Sequence, residues 1–194
     1  VGRRFCYNST SSDSNQGQIL DCTNSLKSVG QFCGGICGAY AFTGNTATGN
    51  LIQNCGNLGD MKGNRWDTSS QMGGICGAAA AADGTCIIEY CYNNGLINGP
   101  GAGGIIGGQS EGTVIIRYCY NHYTGTGSIA QNSIGGIVGA LAGKSGELTI
   151  HNCYSKFDFT TDYGGGIAGR KCGGDSDGSG QVNIYNCYVF GNMI

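Results

Sequence analysis

The chain has little proline, little charge and no long apolar run. One proline stands among 194 residues, the charged residues make up 11%, and the formal net charge is −2. A chain with so little charge is not expected to form the basic surface that binds nucleic acid or an anionic membrane, and we expect neither partner. A membrane-spanning helix needs a run of about eighteen apolar residues. The sequence contains no such run, so we expect no membrane span.

Glycine and cysteine are abundant instead. Glycine accounts for 39 of the 194 residues, against roughly 7% in ordinary globular proteins. The glycines follow no Gly-X-Y period, which excludes collagen. Twelve cysteines suit an oxidising compartment, and Val1 in place of a start methionine suggests a mature or trimmed product. We therefore expect a secreted, extracellular or cell-surface protein, with Asn8 of Asn8-Ser9-Thr10 as a glycosylation acceptor.

Two short signatures alternate along the chain. Gly-Gly-Ile-x-Gly begins at Gly34, Gly73, Gly103, Gly135 and Gly165. An apolar strand ending on cysteine recurs at Cys22, Cys55, Cys91, Cys119, Cys153 and Cys187, with spacings of 28 to 36 residues. Self-similarity at this period is typical of solenoids. We predict an all-β, parallel β-solenoid (β-helix) of about six repeats, with glycine-rich turns and a stacked cysteine column, as a single domain over residues 1–194.

Side chains alternate within the cysteine strand, which predicts an inner and an outer face. The inner positions include the pairs Val114 and Ile116, Leu148 and Ile150, and Val182 and Ile184. The outer position before the corner holds a different residue in each later repeat: Glu89, Arg117, His151 and Tyr185. Parallel stacking in register would make Glu89 and Arg117 opposite-charge neighbours. Gly-Gly-Ile-x-Gly is interpreted as a second strand whose glycines allow close approach.

The segment from Gly135-Gly136-Ile137-Val138-Gly139 to Ile150-His151-Asn152-Cys153-Tyr154 resembles the GLUG repeat. This glycine-rich repeat family occurs in bacterial surface proteins and adhesins, and the resemblance covers nearly the whole chain from about Gln18. Here cysteine stands where serine is common, so the chain is similar to a cysteine-rich variant. The resemblance implies a β-solenoid stalk at a cell surface and implies no catalytic activity.

The cysteines are candidates for disulfides. Stacked rungs would hold Cα atoms about 4.8 Å apart, inside the range for a disulfide. The candidates are the column Cys22, Cys55, Cys91, Cys119, Cys153 and Cys187, and the pair Cys37 and Cys76, which is the best single candidate. The alternative is a ladder of buried free thiols. No Cys-x-x-Cys pair supports structural zinc, and we expect no metal and no cofactor.

Asp175, Asp177 and Ser179 place oxygen ligands at alternate positions, like the first half of a calcium-binding loop. The closing acid is missing, because the corresponding position holds Asn186. A solvated turn is therefore the favoured interpretation of this segment.

Tyrosine follows the cysteine in four consecutive repeats, at Tyr92, Tyr120, Tyr154 and Tyr188. These residues predict an outward aromatic stripe. Such a stripe could stack on glycans or bury at a protein contact. It could equally stabilise the solenoid by stacking on itself.

No constellation of acids, histidine or nucleophile has a spacing that suggests catalysis, so we expect no enzyme. We hypothesise an extracellular structural protein, a self-assembling filament subunit or surface fibre joined by solenoid stacking or strand donation through residues 1–16. Its partner is then another copy of itself, and the junction candidates are Arg4, Phe5, Cys6, Tyr7, Val189, Phe190 and Ile194. The alternatives are a fragment of an adhesin stalk, a carbohydrate- or host-surface-binding module that uses the tyrosines, and, third, a polysaccharide-processing β-helix enzyme.

Overall fold

The computed structural model describes residues 16–42, 48–63, 71–78, 80–81, 84–108, 110–123, 133–158, 163–174 and 179–191. Its secondary structure is all β, with parallel sheets stacked as a β-solenoid. This confirms the predicted fold class. Among the described residues, no helix has the length and hydrophobicity needed to cross a membrane.

Two six-stranded sheets and one three-stranded sheet form the walls of the solenoid. The first consists, in spatial order, of β1 (Gln18–Leu20), β4 (Asn50–Gln53), β7 (Thr85–Glu89), β10 (Thr113–Arg117), β12 (Glu147–His151) and β14 (Gln181–Tyr185). The second consists of β2 (Thr23–Asn24), β5 (Gly56–Asn57), β8 (Tyr92–Asn93), β11 (Tyr120–His122), β13 (Tyr154–Lys156) and β15 (Tyr188–Phe190). The third, which the sequence did not predict, consists of β3 (Ser28–Val29), β6 (Met61–Lys62) and β9 (Ile97–Asn98).

Each sequence repeat makes one turn, but the predicted repeat number is slightly too high. Ile52 pairs with Ile88, and Ile88 pairs with Ile116, so equivalent residues lie directly above one another. The solenoid has about 4 turns. The count of about six included β1 and β14, which lie at the two ends of the sheet and have a neighbouring strand on one side.

An isoleucine column fills the interior. The six strands of the first sheet contribute one residue each to it: Ile19, Ile52, Ile88, Ile116, Ile150 and Ile184. The four interior members have no exposed surface, and full burial of such a side chain stabilises a fold by roughly 1.5–3 kcal/mol. The inner face is confirmed for β10 and β12. Ile184 is 43% exposed because β14 is the last strand of its sheet.

Gly-Gly-Ile-x-Gly does not form the predicted second strand. Each copy contacts the next through isolated parallel bridges, such as Gly73 to Gly103 and Gly103 to Gly135. The isoleucine of the motif points into the core, and Ile105 is fully buried. The backbones approach so closely that a Cβ at Gly104 would overlap the carbonyl oxygen of Gly136. Close approach therefore explains the second glycine of the motif, while the real second strand follows the cysteine.

A sharp corner joins the first sheet to the second. The residue before each column cysteine has a left-handed backbone, with φ between 53° and 54°. Asp and Asn tolerate this conformation because their short polar side chains can bond locally. Four of the six corners have Asp or Asn at this position and two have tyrosine: Asp21, Asn54, Tyr90, Tyr118, Asn152 and Asn186.

An asparagine ladder lies two residues after the cysteines. Asn24, Asn57 and Asn93 each donate from Nδ2 to the Oδ1 of the asparagine in the next turn, at 2.7 Å, and the series ends at Asn121. Each donor also bonds a carbonyl two residues along its own chain, as Asn93 does to Gly95 O at 2.8 Å. The recurring Cys-x-Asn spacing indicates this ladder, but the sequence analysis did not predict it. Buried amides satisfied in this way help to fix the register of the stacked turns.

Asn93→Leu is expected to destabilise the fold strongly. Asn93 is 1% exposed, and its loss leaves the Oδ1 of Asn121 buried without its donor. An unsatisfied buried polar group costs about 1–3 kcal/mol. Urea denaturation should show a loss of that size. For Asn24→Leu we expect less than ~1 kcal/mol, because the Gly59 N–H still donates to the Asn57 Oδ1 at 3.3 Å after that change. Equal losses would show that the ladder contributes no specific stabilisation.

Candidate functional site: the cysteine column and the aromatic ladders

The corners place one cysteine of each turn on the inner side of the bend. Cys55, Cys91, Cys119 and Cys153 are buried, whereas Cys22 is exposed and Cys187 is partly exposed. Each column thiol donates to the carbonyl two residues before it, at 3.2–3.3 Å. From the second turn onward, each thiol also lies 3.5–3.7 Å from the carbonyl of the preceding turn's column isoleucine. The sulfur atoms therefore share one orientation along the axis.

Neighbouring thiols influence each other's ionisation. Hydrogen bonds from Cys119 and Cys55 stabilise a thiolate at Cys91 and lower its pKa. Burial raises the pKa of Cys119, and its hydrogen bonds to Cys153 and Cys91 raise it further. The pKa of Cys153 is lowered, chiefly by its hydrogen bond to Cys119. The ionisation of each of these three thiols therefore depends on its neighbours in the column.

All eleven described cysteines are free thiols in the structure, so none of the candidate disulfides is formed. Parallel stacking in register explains why the column cysteines are not joined in disulfides. Equivalent Cβ atoms repeat at the strand spacing of ~4.8 Å, which is beyond the ~3.5–4.5 Å usual for the two Cβ atoms of a disulfide. The sequence reasoning considered only the Cα spacing. Cys37 and Cys76 come closer, with Sγ atoms 2.8 Å apart. Cross-linking under oxidising conditions stays a prediction.

We expect oxidation to join Cys37 to Cys76 before any pair of the column. The two cysteines are 39 residues apart in the chain, and closing a loop of that size stabilises a fold by about 4 kcal/mol in the chain-entropy model. Reduction should lower the free energy of unfolding by about this much more in the parent protein than in a Cys37→Ala, Cys76→Ala double variant. Peptide mapping after alkylation checks the pairing. Two alkylated cysteines at these positions in oxidised protein would contradict the prediction.

The tyrosines that follow the cysteines form the first aromatic ladder, on the outer side of the second sheet. Ring centroids are 5.3 Å apart for Tyr92 and Tyr120, 5.1 Å for Tyr120 and Tyr154, and 5.5 Å for Tyr154 and Tyr188. The planes agree within 13°. Burial raises the pKa of Tyr120 and of Tyr154, and the neighbouring tyrosines add to the effect.

This geometry favours self-stacking over glycan stacking. A sugar ring packs against the face of an aromatic ring. Both faces of Tyr120 and of Tyr154 are covered by the adjacent tyrosines. Only ring edges of these two residues can meet a ligand, so the ladder is better suited to holding turns together.

A second aromatic ladder, which the sequence reasoning missed, lies on the other side of the corner. Tyr90 stacks on Tyr118 at 5.1 Å, Tyr118 meets His151 edge to face at 5.8 Å, and His151 stacks on Tyr185 at 5.0 Å. The three tyrosines are about half exposed. The ladder draws on two positions of the repeat. Tyr90 and Tyr118 are at the corner, directly before the cysteine, whereas His151 and Tyr185 are one residue earlier, at the end of the strand.

The predicted pairing of Glu89 with Arg117 is confirmed. Arg117 Nε donates to Glu89 Oε2 at 2.6 Å, and Gln53 Nε2 donates to Glu89 Oε1 at 2.6 Å. Glu89 is 7% exposed, so its carboxylate depends on these two partners. The pair stabilises the parallel register that the cysteine spacing predicts.

Several predicted site residues lie outside the described residues. They are Arg4, Phe5, Cys6, Tyr7, Asn8, Asp175, Asp177 and Ile194. Of the junction candidates that are described, Val189 is 42% exposed and Phe190 is 52% exposed. Within the described ranges, no group of three or more His, Cys, Asp or Glu side chains could hold a metal ion.

A scan against protein-family models matches no family, and searches of the curated proteins and of the solved structures return no match. The resemblance to the GLUG repeat therefore stays a prediction that depends on the residues quoted for it.

Proposed function

We propose that the chain is an extracellular structural protein whose copies stack end to end into a filament or surface fibre. The observation that carries the proposal is the distribution of exposed aliphatic side chains. Five of the six such residues in the described part of the chain lie in the first or last turn: Leu20, Leu26, Val29, Ile184 and Val189. Leu58 is the sixth. Apolar surface concentrated at the two ends favours burial against another copy.

The strand edges support the same proposal. β14 and β15 end the first two sheets on one side, and β1 and β2 end them on the other. A terminal strand presents unpaired N–H and C=O groups that can template pairing with another chain. Because β14 and β1 carry the same inward isoleucine, at Ile184 and Ile19, a second copy can continue the column without a change of register. Such a head-to-tail contact does not close, and it generates a filament.

Strand donation is a specific form of this junction. Arg4-Phe5-Cys6-Tyr7-Asn8 has the same pattern as Arg117-Tyr118-Cys119-Tyr120-Asn121. A donated segment from one copy could therefore extend the cysteine column and the first aromatic ladder of the next copy. The extracellular location is supported by the twelve cysteines in the sequence.

Deleting residues 1–16 tests the junction. The truncated and full-length chains are compared by electron microscopy and light scattering at equal concentration, with circular dichroism to check that each is folded. Strand donation predicts loss of assembly on truncation, and direct stacking of turns predicts that assembly is retained. A full-length chain that stays monomeric at high concentration would overturn the proposal in both forms.

A further inference from the structure

The asparagine ladder is interrupted after Asn121. The amides of Asn24, Asn57 and Asn93 each donate to the next turn and also to a carbonyl oxygen two residues along their own chain. In the turn after Asn121, the paired position holds Ser155. The Ser155 Oγ is buried and has no hydrogen-bond partner. Asn121 Nδ2 therefore does not make the bond to the next turn that the earlier amides make.

A small cavity lies beside this interruption. Its volume is about 10 Å³, and its lining includes Asn93, Asn121, Tyr123 and Phe157. Tyr123 and Phe157 lie two residues after the ladder positions of their turns. Gly95, which accepts the second amide bond of Asn93, has the same position in its turn and also lines the cavity. The cavity therefore lies on the side to which the ladder amides point, at the turns where asparagine gives way to serine.

The size and the polarity of this cavity suit one water molecule. A volume of roughly 10–15 Å³ is enough to hold one water, and a buried water bonds two to four polar groups that would otherwise be unsatisfied. The Asn121 amide can donate, and the Ser155 hydroxyl can both donate and accept. An ion is disfavoured, because none of the residues that line the cavity carries a charge and an unpaired buried charge is costly.

We propose that one water molecule binds in this cavity and replaces the amide group that Ser155 lacks. The water accepts a hydrogen bond from Asn121 Nδ2 and bonds the Ser155 Oγ, so that it links β11 to β13. Without it, the solenoid would contain a buried hydroxyl whose desolvation is not compensated. The bound water ends the polar column inside the fold, before the same position becomes apolar at Val189 in β15.

Ser155→Ala distinguishes a bound water from an unpaired hydroxyl by the sign of its effect on the thermal midpoint. Removing a buried hydroxyl that has no partner should raise the midpoint. Removing a hydroxyl that bonds a bound water should lower it, by about 2–4 °C for a chain of this size. Ser28→Ala in β3, where the serine is half-buried, measures the intrinsic effect of the substitution in a short strand. A midpoint that rises, or that falls no further than in this control, would overturn the proposal.

Nuclear magnetic resonance on the isotope-labelled full chain gives a readout that does not depend on a variant folding. We expect a nuclear Overhauser contact between the Asn121 side-chain amide and a water molecule that stays bound longer than surface water. Ser155→Asn should remove this contact, because the added amide would fill the cavity and accept from Asn121 Nδ2. A parent protein without the contact, or a contact that persists in Ser155→Asn, would contradict a single water at this site.

Discussion

Gly104→Ala is expected to prevent the chain from reaching its native fold. The added methyl group would overlap both the carbonyl oxygen of Gly136 and the side chain of Asn121. Neither can move far, because Gly136 belongs to the next turn's close-packed motif and Asn121 belongs to the asparagine ladder. We expect a loss of about 4 kcal/mol or more in the free energy of unfolding, a size reserved for severe steric conflict.

Gly99→Ala is the matched control for this experiment. A Cβ at Gly99 would meet the Met72 sulfur at 3.2 Å and the Gly63 Cα at 3.3 Å. The methionine side chain can shift, and the Gly63 contact needs a backbone movement of only a few tenths of an ångström. Circular dichroism and urea denaturation should show a native fold with a change below ~1 kcal/mol. A stable, fully folded Gly104→Ala protein would mean that the turns do not stack at the observed distance.

Ile184→Asp is expected to block assembly while leaving the single subunit folded. The side chain is 43% exposed on the last turn, so a carboxylate there remains hydrated in an isolated subunit. End-to-end stacking would bury that carboxylate beside an apolar column without a partner, at a cost of about 3 kcal/mol. A cost of that size raises the critical concentration for assembly about 100-fold.

Leu58→Asp supplies the control, since Leu58 is 47% exposed in the second turn rather than at an end. It introduces the same charge away from the proposed junction. Sedimentation across a concentration series measures both variants. Equal effects of the two substitutions would exclude a junction through the last turn.

The sequence predicts the sheet register well because a parallel solenoid places equivalent residues of successive repeats together. The cysteine spacing alone therefore aligns Ile52, Ile88 and Ile116, and it pairs Glu89 with Arg117. The inward position of the cysteines follows from the same alignment. Period and alternation are sufficient for this part of the fold.

Other features could not be predicted in this way because they depend on contacts between residues at different positions of the repeat. The second aromatic ladder joins Tyr118 to His151 across two alignment positions, which no single column of the repeat contains. The Gly-Gly-Ile segment looks like a strand because it is short and apolar, yet close approach of its backbones leaves isolated bridges. Disulfide geometry likewise depends on the direction of the Cβ bonds, which the spacing of repeats does not reveal.

Electron microscopy of the purified chain at high concentration shows whether copies assemble end to end. We expect uniform filaments whose axial rise per subunit is about 30 Å, the height of the six strands of the first sheet at ~4.8 Å each. Imaging after reduction shows whether disulfides lock the junctions. Dispersed short rods at every concentration, before and after reduction, would contradict assembly along the solenoid axis.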